Sequence, residues 1–209
     1  MPQIASNERV AAFGKTRSGK TWLMRDLSKN LNRFWLLDSK GTLTNWNTQD
    51  ANERALDKFA AGEKMRLRFV PPLEGIADFW AGVFDTALQI GNLTLYVDEM
   101  YDVVEPGTKS PDKLRACWTR GAEFGIGAWS ASQRPVFIPQ FVISESEHIF
   151  VFRLPKFEDR QKIQSNWQGG DLPNVKDRHG FFYYHVESDA PIYYSQLGAP
   201  GVAMTPKEI

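Results

Sequence analysis

Cysteine is almost absent: Cys117 alone occurs in 209 residues. No internal disulfide can form, which suits a reducing compartment, and a lone cysteine reads first as a small buried hydrophobe. Histidine is nearly as scarce, and His148, His179 and His185 show no spacing that would gather a metal ion. No apolar run approaches the roughly 20 residues that a membrane-spanning helix needs. The opening Met1-Pro2-Gln3-Ile4-Ala5-Ser6 lacks the basic and apolar regions of a signal peptide. Neither charge is in excess, since 25 Lys and Arg are balanced by 25 Asp and Glu. Bulk positive charge therefore cannot coat a nucleic acid; contact would need a local cluster, or loops brought together by oligomerisation. Internal repeats and low-complexity linkers are lacking too. What remains is an ordinary globular composition, 42% hydrophobic and 24% charged, of a length that suits one α/β domain over residues 1–209. Aromatics are plentiful. Seven Trp and fourteen Phe imply an aromatic core or an aromatic subunit interface.

The stretch around which the chain is organised is Gly14-Lys15-Thr16-Arg17-Ser18-Gly19-Lys20-Thr21. It fits the Walker A pattern G-x-x-x-x-G-K-[ST] at every fixed position. Val10-Ala11-Ala12-Phe13 before it reads as a buried parallel strand, and Trp22 to Leu27 after it opens a helix. Strand, glycine turn and helix start make an anion cradle, with exposed amides at the helix N-terminus aimed at phosphate oxygens. Lys20 is expected to neutralise the β- and γ-phosphates of a nucleoside triphosphate, and the Thr21 hydroxyl to hold Mg2+.

Further strands are expected at 32–38, 66–70, 93–97, 126–132 and 149–152, with 66–70 nearer a sheet edge. Helices are expected at 50–62, 75–90, 112–124 and 156–167. In the 75–90 helix Ile76, Phe79, Trp80, Val83, Phe84, Ala87 and Leu88 recur at i, i+3, i+4, i+7. Residues 42–49 and 101–111 read as loops, Gly169-Gly170 as a break, and the tail from about 198 as loosely held. Phe181 to Val186 and Ile192 to Tyr194 form a C-terminal hairpin. Strands alternating with helices predict a mainly parallel sheet flanked by helices on both faces; with the Walker A segment after its first strand, this resembles the P-loop NTPase (RecA/ASCE-like) architecture.

Leu93-Thr94-Leu95-Tyr96-Val97 ends on Asp98-Glu99, an apolar strand delivering two acids, as in a Walker B segment. Asp98 is expected at the magnesium shell. Glu99, one residue on, is placed to take a proton from an attacking water, the alternative being a solvated loop carboxylate. The strand at 126–132 ends on Gln133, whose amide can bond the γ-phosphate or that water; a purely structural strand-end residue is the alternative.

The run Arg120-Gly121-Ala122-Glu123-Phe124-Gly125-Ile126-Gly127, followed by Ser130-Ala131-Ser132-Gln133-Arg134-Pro135, resembles the signature of the FtsK–HerA ATPases. Walker A, the acid pair and Gln-Arg-Pro cover residues 9–135, and 144–160 resembles the family's next strand and helix more loosely. A chain with little beyond the motor core is similar to the viral branch, the genome-packaging ATPases of membrane-containing icosahedral viruses and phages. That resemblance implies ATP hydrolysis with Mg2+, a homo-oligomeric, usually hexameric ring, and double-stranded DNA moved through its pore. It also implies capsid vertex or portal partners, and a place in the host cytoplasm or at the packaging vertex. The family's arginine finger precedes the Gln strand, which points to Arg120, with Arg115 behind it; an exposed arginine in an ion pair is the alternative. Asp38-Ser39-Lys40-Gly41 resembles a family turn at the nucleotide rim or subunit interface, and reads equally as a plain turn. Lys109, Lys113 and Arg115 are the candidate DNA contacts by position, a solvated face being the other reading.

Other readings are a phage assembly ATPase of the zonula-occludens-toxin type, a small-molecule P-loop kinase, and a nucleotide-gated assembly protein without turnover. The first is usually membrane-anchored, kinases need no acid pair followed by Gln-Arg-Pro, and Glu99 argues against the last.

Overall fold

A computed structural model describes residues 2–104, 112–167, 172–188 and 190–203. Its strands are β1 (Val10–Phe13), β2 (Phe34–Leu37), β3 (Gln49–Asp50), β4 (Arg66–Phe69), β5 (Leu93–Val97), β6 (Ile126–Ser132), β7 (His148–Phe152), β8 (Phe181–His185), β9 (Ile192–Tyr194) and β10 (Val202–Ala203). The helices are α1 (Lys20–Ser28), α2 (Glu53–Ala60), α3 (Ile76–Ile90), α4 (Met100–Val103), α5 (Asp112–Thr119), α6 (Gln140–Ser144) and α7 (Phe157–Gln164). The strands form one sheet in the order β3-β4-β2-β5-β6-β1-β7-β8-β9-β10. The first seven run parallel and the last three are antiparallel additions. Among the described residues this is the mainly parallel, helix-flanked sheet that the alternation of elements predicts.

The central strands are buried at every position, and largely apolar, because both faces are covered. Val10 and Ala12 face Leu23 and Met24 of α1, while Ala11 and Phe13 lie in the larger cluster containing Phe84 of α3 and Leu114 of α5. Next to the edge, β4 alternates, with Leu67 and Phe69 buried and Arg66 and Arg68 half-buried. Arg66 lies 4.3 Å over the Phe34 ring and donates to the carbonyls of Ser28 and Leu31, satisfying the end of α1.

Several expectations are corrected. The polar 42–49 stretch carries a core residue: Trp46 is buried, its ring stacked on Tyr96 at 5.2 Å. One anchor has no period, so periodicity could not reveal it. The stretch also ends in the short edge strand β3. Residues 100–103 form a single helical turn, α4, rather than loop. The 112–124 helix stops at Thr119 and tightens into a 3-10 turn over Gly121–Phe124, because Gly125 turns the chain at φ 67°. The 156–167 helix is shorter, as α7, and within the tail β10 pairs with β9. Residues 105–111 and Gly169-Gly170 lie outside the described residues.

The N-terminal segment fills the space beside β6. An added Cβ on Gly127 would meet the Ser6 carbonyl oxygen at 2.2 Å, and Thr94 Oγ1 donates to the same carbonyl. Gly127→Ala is therefore expected to destabilise by about 1–3 kcal/mol through overpacking. Gly82→Ala, on exposed α3 surface with nothing within 4 Å of the new methyl, should be neutral or slightly stabilising. Denaturant midpoints of the two variants check this contrast. Cys117 is fully buried and its thiol pushed up to about 12 by burial, so a maleimide should label it only after unfolding.

Candidate nucleotide site

The P-loop hangs between the C-terminal ends of two strands that flank β1. Gly14 N donates to Ser132 O at 3.2 Å, at the end of β6, and Lys15 N donates to Arg153 O at 3.0 Å, past β7. The close approach requires glycine: a Cβ on Gly14 would lie 2.5 Å from Phe152 Cβ and 2.8 Å from Ser18 Oγ. Gly19, at φ 113°, turns the loop into α1, whose first-turn amides and dipole face an anion site. Lys15, Thr16 and Arg17 are exposed on the crown of the loop, and Ser18 is buried beneath it.

Lys20 is buried, and its Nζ donates to Gly14 O at 2.6 Å and Lys15 O at 3.1 Å. Burial lowers its pKa to about 8, against the pull of Glu99 and Asp98. An ammonium held in the mouth of the loop at this desolvation cost is poised to gain from phosphate oxygens.

The acid pair arrives from β5, with β6 lying between it and β1. Asp98 Oδ1 stands 3.4 Å from Thr21 Oγ1 and accepts from Tyr96 Oη at 2.7 Å. A hydroxyl and a carboxylate are hard oxygen donors, a set that fits Mg2+, which needs few protein ligands beside phosphate and water. Burial raises the Asp98 pKa, opposed by Tyr96 and Lys20. Glu99 is 5% exposed, and its Oε1 accepts from Ser132 Oγ at 2.9 Å and from Gln133 N at 3.3 Å. Burial raises its pKa as well, the Ser132 bond opposing it. The end of β6 thus aims Glu99, while the Gln133 side chain reaches across to bond Thr16 Oγ1 on the P-loop. Lys20, Thr21, Asp98, Glu99 and Gln133 therefore converge at one end of the sheet.

Arg120 is not among them. It precedes the N-terminal end of β6, and that seven-residue strand spans roughly 20 Å at the usual rise, so Arg120 cannot reach its own P-loop. Its side chain is 63% exposed, 3.5 Å from Glu123 and 6.0 Å over the Phe124 ring. Arg115 is also exposed, on α5. Lys113 pairs with Asp85, and Lys109 lies outside the described residues. The turn after β2 is closed by Asp38, which accepts from the amides of Thr42 and Leu43, and is tied to the segment after the acid pair, where Ser39 and Lys40 bind Asp102 on α4.

Some participants were missed from the sequence. Tyr96 and Trp46 back Asp98; a tyrosine two residues before the acid was the available signal. Ser132 orients Glu99. Arg134 binds the buried Asp159 of α7 at 3.0 Å, tying the strand end to that helix. On the other side of the loop a cavity of about 660 Å3 opens, walled by P-loop residues, Trp22, Phe152 and C-terminal side chains. A cleft of about 600 Å3 also lies at the β3–β4 edge beside α3, remote from this chemistry.

Fold and cradle together are those of a P-loop NTPase: a glycine loop on a central parallel strand, an acid pair two strands away, and a polar amide between. No protein-family profile matches the chain. It is 29% identical to the DNA packaging ATPase P9 of Enterobacteria phage PRD1, over 75% of this chain and 69% of that protein. In structure it is similar to the genome packaging NTPase B204 of Sulfolobus turreted icosahedral virus 2, solved with AMPPCP. That similarity has a TM-score of 0.70 at 14% identity, and covers 93% of this chain and 100% of that one. VirB4 of Thermoanaerobacter pseudethanolicus follows at TM-score 0.65 and 11% identity, covering 93% and 90%. At such identities the two structures speak for the fold, and the phage protein for kinship. The chain thus resembles a viral packaging ATPase of FtsK–HerA type.

Lys20→Met is expected to keep the fold and to abolish binding of inorganic tripolyphosphate, because the cradle loses its charge while its backbone ties remain. Calorimetry with circular dichroism checks both halves; tight binding by the variant would count against the cradle.

Proposed function

We propose that the chain is an ATP hydrolase working as a ring-shaped homo-oligomer that moves double-stranded DNA, packaging a viral genome into a preformed capsid. The observation that carries the chemistry is the meeting of Lys20, Thr21, Asp98, Glu99 and Gln133 at one sheet end, with Glu99 aimed by Ser132 and the Gln133 amide. What directs it to packaging is the kinship with the phage packaging ATPase.

In this reading residues 14–21 wrap the ATP phosphates and Lys20 neutralises the β- and γ-oxygens. Mg2+ held by Thr21 and Asp98 would supply charge neutralisation across those oxygens. Glu99 accepts the proton of the attacking water, and Gln133 orients that water or senses the γ-phosphate. The transferring charge needs a further cation, and Arg120 is too far from its own site. In a ring, Arg120 of one subunit completes the site of the next, so each active centre belongs to two chains. DNA would be met by loops collected around the pore, since the balanced total charge offers no continuous basic coat. Among the described residues no helix is long and apolar enough to cross a membrane. A host-cytoplasmic or vertex-associated motor, with capsid or portal proteins as partners, completes the proposal.

Glu99→Gln should bind ATP and lose about 100- to 10,000-fold in hydrolysis, as removal of a general base does. Near-normal turnover would place the base elsewhere. For the ring, Arg120→Ala should bind ATP normally and hydrolyse it roughly 1,000-fold or more slowly. Mixed with Lys20→Ala, it should recover partial activity, because the Lys20→Ala subunit lends its intact Arg120 to a neighbour whose P-loop is whole. Assembled mixtures that stay inactive would remove Arg120 from the mechanism.

A further inference from the structure

We infer that the C-terminal antiparallel extension builds the nucleoside half of this site. The cavity beside the P-loop receives the base and ribose of the nucleotide between Trp22 and Leu197, with Gln196 at the base edge. This rests on the proposed triphosphate site and adds which residues select the nucleoside.

The direction follows from the chemistry at the two sides of the loop. Glu99 and Gln133 mark where the terminal phosphate and water must lie. A nucleotide running along the loop then carries its nucleoside away from them, toward the cavity of about 660 Å3 whose wall includes Ser18, Gly19, Lys20 and Thr21. A volume of that order suits a nucleoside-sized ligand. Its other walls have the right character. Trp22 is 66% exposed, whereas the remaining six tryptophans are buried. One face of its indole is covered by the Arg25 guanidinium at 4.4 Å. A large exposed aromatic beside an anion cradle is the stacking surface that a base uses. Leu197 supplies a second apolar wall, and the Gln196 amide both donates and accepts, as the edge of a base requires.

The extension is fixed in place. Leu172 and Val175 are buried in the core, and Leu154 N donates to Asn174 Oδ1 at 3.1 Å. Tyr193 on β9 donates its hydroxyl to Asp177, and Gly180 packs beneath that hydroxyl, so an added Cβ there would have to displace the Tyr193 tip. The result sets the His179 ring against the P-loop, Nδ1 3.4 Å from Ser18 O, and brings Arg178 to the same cavity as a cation for the α-phosphate.

The test compares ATP with inorganic tripolyphosphate on the full chain, by calorimetry and by acrylamide quenching of tryptophan emission. ATP should shield the one exposed indole and tripolyphosphate should not, and the shielded component should vanish in Trp22→Phe. Trp22→Ala and Gln196→Ala, both at exposed positions, should each weaken ATP by about 10-fold and leave tripolyphosphate unchanged. If ATP binds without shielding Trp22, or if both variants keep its full affinity, the nucleoside lies elsewhere and the inference falls. If neither ATP nor tripolyphosphate binds the unaltered protein, the triphosphate reading fails first and takes the inference with it.

Discussion

The site depends on two backbone hydrogen bonds. Gly14 N to Ser132 O and Lys15 N to Arg153 O suspend the P-loop between the ends of β6 and β7. A main-chain tether of this kind is short and insensitive to side-chain motion. It places the loop and the end of β6 in one rigid frame, and the end of β6 carries the groups that aim Glu99. The order β5-β6-β1 is what makes this possible, since it inserts the Gln133 strand between the acid pair and the phosphate loop. Moving β6 by one strand would leave each motif intact and the site dismantled.

Burial sets the electrostatics of the same frame. Lys20, Asp98 and Glu99 are all withdrawn from water, and desolvation is the leading influence on each. They remain usable because each is partnered: Lys20 by loop carbonyls, Asp98 by Tyr96, Glu99 by Ser132 and the Gln133 amide. Withdrawn charges in a low-dielectric pocket act more strongly on a phosphate than they would at a surface. The layer behind them is aromatic, with Trp46 stacked on Tyr96, so a residue in an apparently featureless loop backs the Asp98 carboxylate. Arg134, paired with Asp159 and lying 4.7 Å over the Phe137 ring, carries the frame outward to α7 and the surface.

The sequence by itself determined the parallel core, the P-loop and the acid pair. Each is encoded locally, in apolar runs that need both faces covered, in glycines at fixed offsets, and in acids that end a buried strand. The long α3 was legible for the same reason. Tertiary structure alone decided what depends on distant residues meeting. Trp46 has no neighbour in sequence that marks it as core, and Ser132 looks like any small strand residue until Glu99 arrives from β5. Arg120 shows the converse. Its place in a motif suggests catalysis, but seven residues of extended strand carry it to the opposite end of the sheet, so within one chain it has no phosphate to act on. His179 and Gln196, far along the chain from the P-loop, come to its cavity because β8 and β9 fold antiparallel onto β7 and carry the turns around them back over α1. Spacing along a chain reports only contacts made within one element. These are made between elements, and only the packed sheet brings them into reach.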